Sequence, residues 1–430
     1  MKIETIEAFK KTQRSTRVMQ RTQSTYTSIM PRIEEIFDAV KKDGDAALMY
    51  YTRQFDGVSL QSFTVSSDMI SSAYELCSPD LVRALKQMKR HIIAVHSNEY
   101  PAYTSYRVKP IRGIRVYKKW LPIECVGIYV PGGNAVYPST VLMNSLPAKI
   151  AGVKKIIMTT PPNKDGKLDP SVLVAADIAG VDTIYMIGGA QAIAAMSLGT
   201  QTIQKVSKIV GPGNAYVTAA KLKAYERGLV AIDGHAGPSE VCVLADETAN
   251  PRYVAADLIA DAEHGPDSAP LLVSTSATLL TTVIDIIPEL IKNLSTKKFI
   301  ESSFEQYGLF ALAPSLNEAI TFVNDYAAEH LLIMTKDARS VSKHIVNAGS
   351  VFIGDYTAKS AGDYATGANH VLPTGGSAKM FSGLSVLDFM HRIEYQEVKK
   401  SGLKRISKTI QTLSIAEGLP GHGLSARIRL

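Results

Sequence analysis

Cysteine, tryptophan and long apolar runs are scarce in this chain of 430 residues. Three scattered cysteines, Cys77, Cys125 and Cys242, are too few for a disulfide framework and indicate a reducing, cytoplasmic compartment. The N-terminus has no apolar segment with a cleavage signature, so we expect no secretion signal. The longest apolar stretches are short and interrupted by charged residues or proline, which predicts that no segment spans a membrane.

The charge balance is mildly basic, with 47 Lys and Arg against 40 Asp and Glu and a net charge of +7. The basic residues are dispersed, and no basic run is interleaved with the aromatic side chains on which bases would stack. This disfavours a nucleic-acid partner. It favours a solvated surface with a mild preference for small anions.

The hydrophobic pattern divides the chain into two kinds of region. Apolar residues at helical spacing predict helices at 31–40, 46–55 and 81–96. From residue 124, short β-branched runs alternate with helical stretches and Gly-rich turns, and the alternation resumes after residue 233, which predicts two successive α/β units with parallel sheets. The segment after Gly383 is predicted to be a helical, polar tail that packs on another subunit.

Three Gly-rich turns, at 131–134, 188–191 and 211–214, each follow a predicted strand and precede a helix. Such turns can place backbone N–H groups and a helix N-terminus around a phosphate. Asp233, 20 residues after Gly213, has the spacing of a ribose-binding acid. Sharp turns that require glycine for its backbone freedom explain the pattern equally well.

Several acids and imidazoles are candidates for metal binding or proton transfer. Asp261 and His264 share one face of a predicted helix, and Asp363 and His422 lie further along the chain. Carboxylates and imidazoles suit Zn²⁺ or a similar ion, although an Asp/His pair is more often a solvated helix face.

The Glu329-His330 pair lies between a helix and a strand. An imidazole beside a carboxylate can transfer protons near neutral pH, and the same pair can also serve as a helix C-terminal cap. His370, which precedes a turn, is equally ambiguous on its own.

Taken together, these segments closely resemble the histidinol dehydrogenase family. The resemblance covers essentially the whole chain, from Asp43 onward, and its motifs are long and in order. They are YVPGG at 129–133, GGAQAIA at 188–194, GPGNA at 211–215, AGPSEV at 236–241, AEH at 262–264, EHL at 329–331, AGDY at 361–364, NHVLPT at 369–374, and EGL at 417–419 with His422.

The resemblance implies an α/β fold with two incomplete Rossmann-like domains and helical N- and C-terminal extensions that pack across a homodimer. The implied division is an N-terminal extension at 1–22 and a discontinuous domain of 23–128 and 237–380, which carries the metal and acid/base residues. A cofactor-side domain follows at 129–236, and a tail at 381–430 contributes to the partner's site.

The activity that the resemblance implies is oxidation of L-histidinol through L-histidinal to L-histidine, with two NAD⁺ used in sequence and one zinc per subunit. The implied acid/base residues are Glu329 and His330. The implied metal ligands are Asp261, His264, Asp363 and His422, all of which also contact substrate, as do His330, Ser239, His370 and Glu417. Glu417 and His422 are expected from the neighbouring subunit, and the cofactor-side positions are Tyr129, Gln191 and Asn214.

Asp261 departs from the family pattern, which usually has glutamine there as the fourth zinc ligand. Aspartate is a competent zinc ligand, but the change leaves metal preference and substrate open. Two enzymatic alternatives therefore remain: a paralogue that oxidises another small hydroxy compound, and a metal-dependent hydrolase. The Gly-rich turns and the lack of a nucleophile motif weigh against the hydrolase.

Overall fold

A computed structural model describes residues 1–19, 26–101, 105–132, 136–234 and 237–430 of the protein. These residues form two parallel sheets, of five and six strands, and a separate three-stranded antiparallel sheet. Within this part of the chain, every helix is either too short or too polar to span a membrane.

The N-terminal region is mainly helical, as predicted. The structure has helices over the predicted ranges 31–40, 46–55 and 81–96, which confirms these predictions. Their apolar faces are buried in the core. The elements of this region are β1 (Ile3–Thr5), α1 (Ile6–Lys10), α2 (Gln13–Met19), α3 (Tyr26–Asp43), α4 (Asp45–Phe55), α5 (Ser67–Leu76), α6 (Pro79–His96), β2 (Ser105–Val108) and β3 (Ile114–Pro122).

The five-stranded sheet follows directly in the chain. Its elements are β4 (Cys125–Tyr129), α7 (Pro138–Ala151), β5 (Lys155–Thr160), α8 (Pro170–Ala179), β6 (Thr183–Met186), α9 (Gly189–Leu198), β7 (Lys208–Val210), α10 (Ala215–Glu226) and β8 (Ala231–Ile232). The spatial order is β6-β5-β4-β7-β8, with every pair parallel. Counted along the chain this is 3-2-1-4-5, the order of a dinucleotide-binding fold without its sixth strand.

The six-stranded sheet repeats this order. Its elements are β9 (Glu240–Ala245), α11 (Pro251–Ala262), β10 (Ala269–Ser274), α12 (Ala277–Leu290), α13 (Lys297–Gln306), β11 (Leu309–Leu312), α14 (Leu316–Tyr326), β12 (His330–Met334), α15 (Ala338–Ser342), β13 (Ser350–Ile353) and α16 (Lys359–Tyr364). The order β11-β10-β9-β12-β13 is again 3-2-1-4-5, and β1 adds a parallel strand beside β11. The predicted pair of incomplete Rossmann-like units is therefore confirmed.

The C-terminal region corrects one prediction. The segment after Gly383 is not helical throughout, because β14 (Met390–Val398) pairs with β3 along nine residues. Stacked rings of Tyr117 and Tyr395, 5.0 Å apart, support this long-range pairing, which no local pattern announces. Helices α17 (Lys400–Ala416) and α18 (Pro420–Arg427) follow and pack against each other.

The N-terminal helices pack differently from the implied grouping. Phe37 of α3 and Leu48 of α4 share an apolar cluster with Tyr129 of the five-stranded sheet, and Ile92 of α6 packs against the same sheet's other face. The resemblance implies that 23–128 groups with 237–380 instead. An amphipathic face shows that a helix packs on something, but not which sheet it covers. The domain boundaries themselves remain a prediction.

Candidate functional site

The candidate site lies where the amino ends of the six-stranded sheet meet the carboxyl ends of the five-stranded sheet. Glu329 and His330 lie at the start of β12, and Asp261 lies in the last turn of α11. Ala327 ends α14 in the left-handed conformation, with φ of 54°, and turns the chain towards β12. From the other sheet come Pro212, after β7, and Asp233, after β8, which lie at the carboxyl ends of the strands, where ligands of such folds bind.

Two buried glutamates fix the position of the candidate acid/base pair. Glu329 Oε2 accepts the backbone N–H of Glu240 at 3.0 Å, and Glu240 Oε2 accepts the N–H of Glu329 at 3.4 Å. Glu240 Oε1 also accepts the N–H of Gly375. Glu240 was not singled out by the sequence analysis, since an acid at the start of an apolar strand gives no sign of its partner in a distant strand.

His330 is buried and oriented through its Nδ1 atom. Nδ1 lies 3.2 Å from the carbonyl oxygen of Glu240 and 3.5 Å from Oε2 of Glu329, whereas Nε2 has no hydrogen-bond partner among the described residues. Burial lowers the pKa of His330, but the adjacent Glu329 carboxylate outweighs it, and the net effect is a raised pKa. The Glu240 carbonyl oxygen can only accept a hydrogen bond, so Nδ1 donates to it. In the neutral ring the lone pair is then on Nε2.

One group of side chains in the described part of the chain could hold a metal ion. Asp261, Glu329 and His330 are all buried, and each has a ligand atom within 4.8 Å of those of the other two. Of the metal ligands that the resemblance implies, only Asp261 belongs to this group. The other two members are the residues expected to transfer protons.

The implied ligands Asp261, His264 and Asp363 do come together, but around a lysine. Lys359 Nζ lies 3.1 Å from Asp363 Oδ2, 3.2 Å from His264 Nε2 and 3.3 Å from Asp261 Oδ1. Sequence reasoning missed Lys359, because an isolated lysine before a helix has the pattern of a solvated charge.

The ionic interactions of this cluster are reflected in the pKa values. Burial lowers the pKa of Lys359, but Asp261 and Asp363 outweigh it and raise the pKa. Burial raises the pKa of Asp363, whereas the Lys359 ammonium lowers it, and the lowering prevails. Burial and then the Lys359 charge both lower the pKa of His264. At neutral pH the cluster therefore includes the Asp363 carboxylate, the Lys359 ammonium and a neutral His264 imidazole.

His422 and Glu417 lie outside this cluster. His422 is on α18 and Glu417 follows α17, and both side chains are exposed. The resemblance assigns them to a neighbouring subunit's site, and that assignment remains a prediction.

A cavity of about 100 Å³ adjoins the acid/base pair. Glu329 lines it together with Ser239 and His370, both implied substrate contacts, and Pro212 and Asp233 line it from the five-stranded side. The ring of His370 lies 3.2 Å from the Thr140 hydroxyl through Nε2 and 3.2 Å from the carbonyl oxygen of Asp363 through Nδ1. Burial lowers the pKa of His370 to about 4, so the ring is neutral in ordinary buffers.

The implied cofactor-side residues lie at the carboxyl edge of the five-stranded sheet. The hydroxyl of Tyr129, at the end of β4, accepts the N–H of Gly189 at 3.1 Å, and burial raises its pKa to about 12. Asn214 caps α10 by accepting the N–H of Val217 at 3.1 Å. Gln191 is buried, yet neither polar atom of its side chain has a hydrogen-bond partner among the described residues, which suits a polar ligand.

Asp233, the candidate ribose-binding acid, already has partners within the protein for both of its carboxylate oxygens. Its Oδ2 accepts the N–H of Gly211 at 2.7 Å, and its Oδ1 forms a buried ion pair with Lys221. Gly211 has φ of +113°, and a Cβ there would lie 2.1 Å from the carbonyl oxygen of Tyr129. This turn therefore requires glycine for steric reasons. Gly133 of the YVPGG motif and Ala236 of the AGPSEV motif lie outside the described residues.

Comparison with known proteins identifies the family. A profile of the histidinol dehydrogenase family matches residues 19–430. The histidinol dehydrogenase of Clostridium acetobutylicum is 46% identical over 93% of this chain and 92% of its own, and that of Methanothermobacter thermautotrophicus is 43% identical over 97% of both chains. The crystal structure of histidinol dehydrogenase from Elizabethkingia anophelis is similar with a TM-score of 0.92 at 38% identity, covering 100% of this chain and 97% of that one. The chain therefore belongs to the histidinol dehydrogenase family.

Proposed function

We propose that this protein is an NAD⁺-dependent histidinol dehydrogenase, which oxidises L-histidinol to L-histidinal and then to L-histidine. Family membership over residues 19–430 is the observation that carries the proposal. The burial and mutual orientation of Glu329 and His330 beside a cavity support it, since both oxidations release a proton from oxygen.

His330 is proposed as the base of the first oxidation. Its Nδ1 donates to the carbonyl oxygen of Glu240, so the Nε2 lone pair is free to take the hydroxyl proton of the substrate while hydride leaves the same carbon. The neighbouring Glu329 carboxylate stabilises the imidazolium that forms. The products of this step are an aldehyde, a proton and a reduced cofactor.

Glu329 is proposed to act in the second oxidation. An aldehyde has no hydroxyl to deprotonate until water adds to its carbonyl carbon. Glu329 lines the cavity and is fixed by the N–H of Glu240, so its carboxylate can take a proton from that water. The hydrate then loses hydride and a proton, as the alcohol did, and becomes the carboxylic acid.

The five-stranded sheet is proposed to bind NAD⁺. Its 3-2-1-4-5 order, the turns after β6 and β7, and the unpartnered amide of Gln191 fit a dinucleotide, with Tyr129, Gln191 and Asn214 on the cofactor side. When bound, NAD⁺ supplies the hydride acceptor. Asp233 is proposed to shape this site by holding the Gly211 turn.

The zinc that the resemblance implies does not fit the side chains around Asp261. The implied ligands are Asp261, His264, Asp363 and His422 of the partner subunit, and the buried oxygens of Asp261, which accept no hydrogen bond among the described residues, do suit a cation. The Lys359 ammonium, however, already lies 3.1–3.3 Å from an atom of each of the three ligands in this chain.

A homodimer with shared sites is proposed from the exposed positions of Glu417 and His422 on the C-terminal helices. A carboxylate such as Glu417 suits the substrate's ammonium. Ser239 and His370 are proposed to contact the substrate, because both line the cavity. The three scattered cysteines, Cys77, Cys125 and Cys242, are too few for a disulfide framework, which supports a cytoplasmic location.

A paralogue acting on another small hydroxy compound is the second candidate. Asp261 favours it, because an aspartate in place of the family's usual glutamine changes the charge where the family's substrate is anchored. The test is NAD⁺ reduction with a panel of small alcohols at equal concentration. Histidinol with the highest kcat/KM supports the first proposal, and preference for an alcohol without an imidazole supports the second.

A further inference from the structure

Lys359 has the geometry of a built-in cation. Its ammonium has three N–H donors, and three acceptors surround it at hydrogen-bonding or ion-pair distance: Asp363 Oδ2 at 3.1 Å, His264 Nε2 at 3.2 Å and Asp261 Oδ1 at 3.3 Å. The three acceptors belong to the three metal ligands that the resemblance implies in this chain. The donor count of the ammonium therefore matches the acceptors that the site offers.

Lys359 is fixed from its backbone outward. Its residue is 2% exposed, and its backbone N–H donates to Asp257 Oδ1 at 2.9 Å where α16 begins. Asp363 lies one turn later on the same helix, so the two side chains share a face. Asp261 is fully buried and its oxygens accept no hydrogen bond among the described residues, so withdrawal of the ammonium would leave this carboxylate without its counter-charge.

An ammonium and a divalent ion compete for this position. A zinc ion would bond the same oxygens and nitrogen at about 2.0–2.2 Å, which would place two like-signed charges side by side in a buried site. His264 would also need its Nε2 lone pair for the metal, and that atom lies against Lys359.

We propose that the Lys359 ammonium is the resident cation of this site and takes the place of a divalent metal ion. The two carboxylates are held apart and oriented by the lysine, which adds one positive charge where a metal would add two. The consequence for substrate binding rests on the proposed function: histidinol is then held by hydrogen bonds and ion pairs rather than by coordination.

The test compares the zinc content of the full-length wild-type protein with that of Lys359→Met. Each protein is incubated with equimolar ZnCl₂, dialysed without chelator and analysed for zinc per subunit, and a calorimetric titration with ZnCl₂ is run in parallel. Lys343→Met, which removes an exposed lysine, is the matched control. We expect the wild type and the control to retain no zinc, whereas Lys359→Met retains about one per subunit through the freed carboxylates and imidazole.

The outcomes separate this proposal from the proposed function. Stoichiometric zinc in the wild type overturns the proposal whether or not histidinol is oxidised, and this measurement stands even if Lys359→Met fails to fold. Absence of zinc from a folded Lys359→Met also overturns it, because the lysine then replaces nothing. Wild-type protein that retains no zinc but does not oxidise histidinol overturns the proposed function alone.

Discussion

His330 Nδ1 lies 3.5 Å from Oε2 of Glu329, although the two residues are neighbours in the chain. Adjacent side chains of a regular strand point to opposite faces, and this pair meets because Glu329 precedes the first residue of β12. Hydrogen bonds between both side chains and the backbone of Glu240 hold the two residues at the edge of the sheet. The acid therefore lines the cavity, and the imidazole lies directly beside the acid.

The division of labour in this pair can be tested by single substitutions. His330→Asn should slow both oxidations by about 10²- to 10⁴-fold, because each releases a proton from oxygen. Glu329→Gln should slow the aldehyde step far more than the alcohol step, since only the former needs activated water. Single-turnover assays started from histidinol and from histidinal measure the two steps separately. Equal losses in both steps for Glu329→Gln contradict the division.

Shared active sites predict complementation between inactive variants. His330→Asn removes the base from its own subunit, and Glu417→Ala removes a residue assigned to the neighbouring one. In a randomly mixed dimer population, about a quarter of all sites would have both native residues, so about a quarter of wild-type activity should return. The assay uses two differently tagged chains that are co-expressed and purified together. Activity no higher than the average of the two homodimers would place Glu417 in its own subunit's site or in none.

Replacing Asp56 by asparagine should increase the free energy of unfolding in a pH-dependent way. This half-buried carboxyl has an oxygen without a hydrogen-bond partner among the described residues, and burial raises its pKa to about 6 from an ordinary value of 3.8. The folded state therefore favours the proton, and the cost of the charge appears as pH rises from about 4 to above 6. Asp56→Asn should be more stable than wild type by about 1 kcal/mol at pH 7.5, after allowance for screening at a half-exposed site. Urea unfolding at pH 7.5 and pH 4 checks this, and an equal difference at both values would refute it.

Breaking the buried Lys221–Asp233 ion pair should lower the free energy of unfolding. Asp233 holds both the Lys221 ammonium and the N–H of Gly211, and the pair is almost completely buried. Asp233→Asn should lower the free energy of unfolding by about 3 kcal/mol, because the lysine loses its counter-charge. Asp80→Asn, which breaks an exposed ion pair with Arg83, should change it by less than about 1 kcal/mol. Similar losses in the two variants would contradict the structural role of Asp233.

The elements that the sequence predicted well are those with purely local signals. The helices predicted at 31–40, 46–55 and 81–96 lie within α3, α4 and α6, since apolar residues at helical spacing are a local signal. The pairing of β14 with β3 joins segments far apart in the chain and was missed.

The same limit applies to the site. Sequence motifs indicate Glu329, His330 and His264 as candidate site residues. The ion pair between Lys359 and Asp261, however, depends on how α16 packs beside α11. No spacing in the sequence indicates that this lysine is buried among acids. Its role could be found only once the fold had placed the three acceptors around it.

The proposed function is tested most directly by the stoichiometry of oxidation with purified protein, L-histidinol and excess NAD⁺. Two NADH should form for each histidinol consumed, with L-histidine as the final product, because Glu329 and His330 serve both steps at one site. One NADH per histidinol with free histidinal, or no reduction of NAD⁺ at all, would contradict the account.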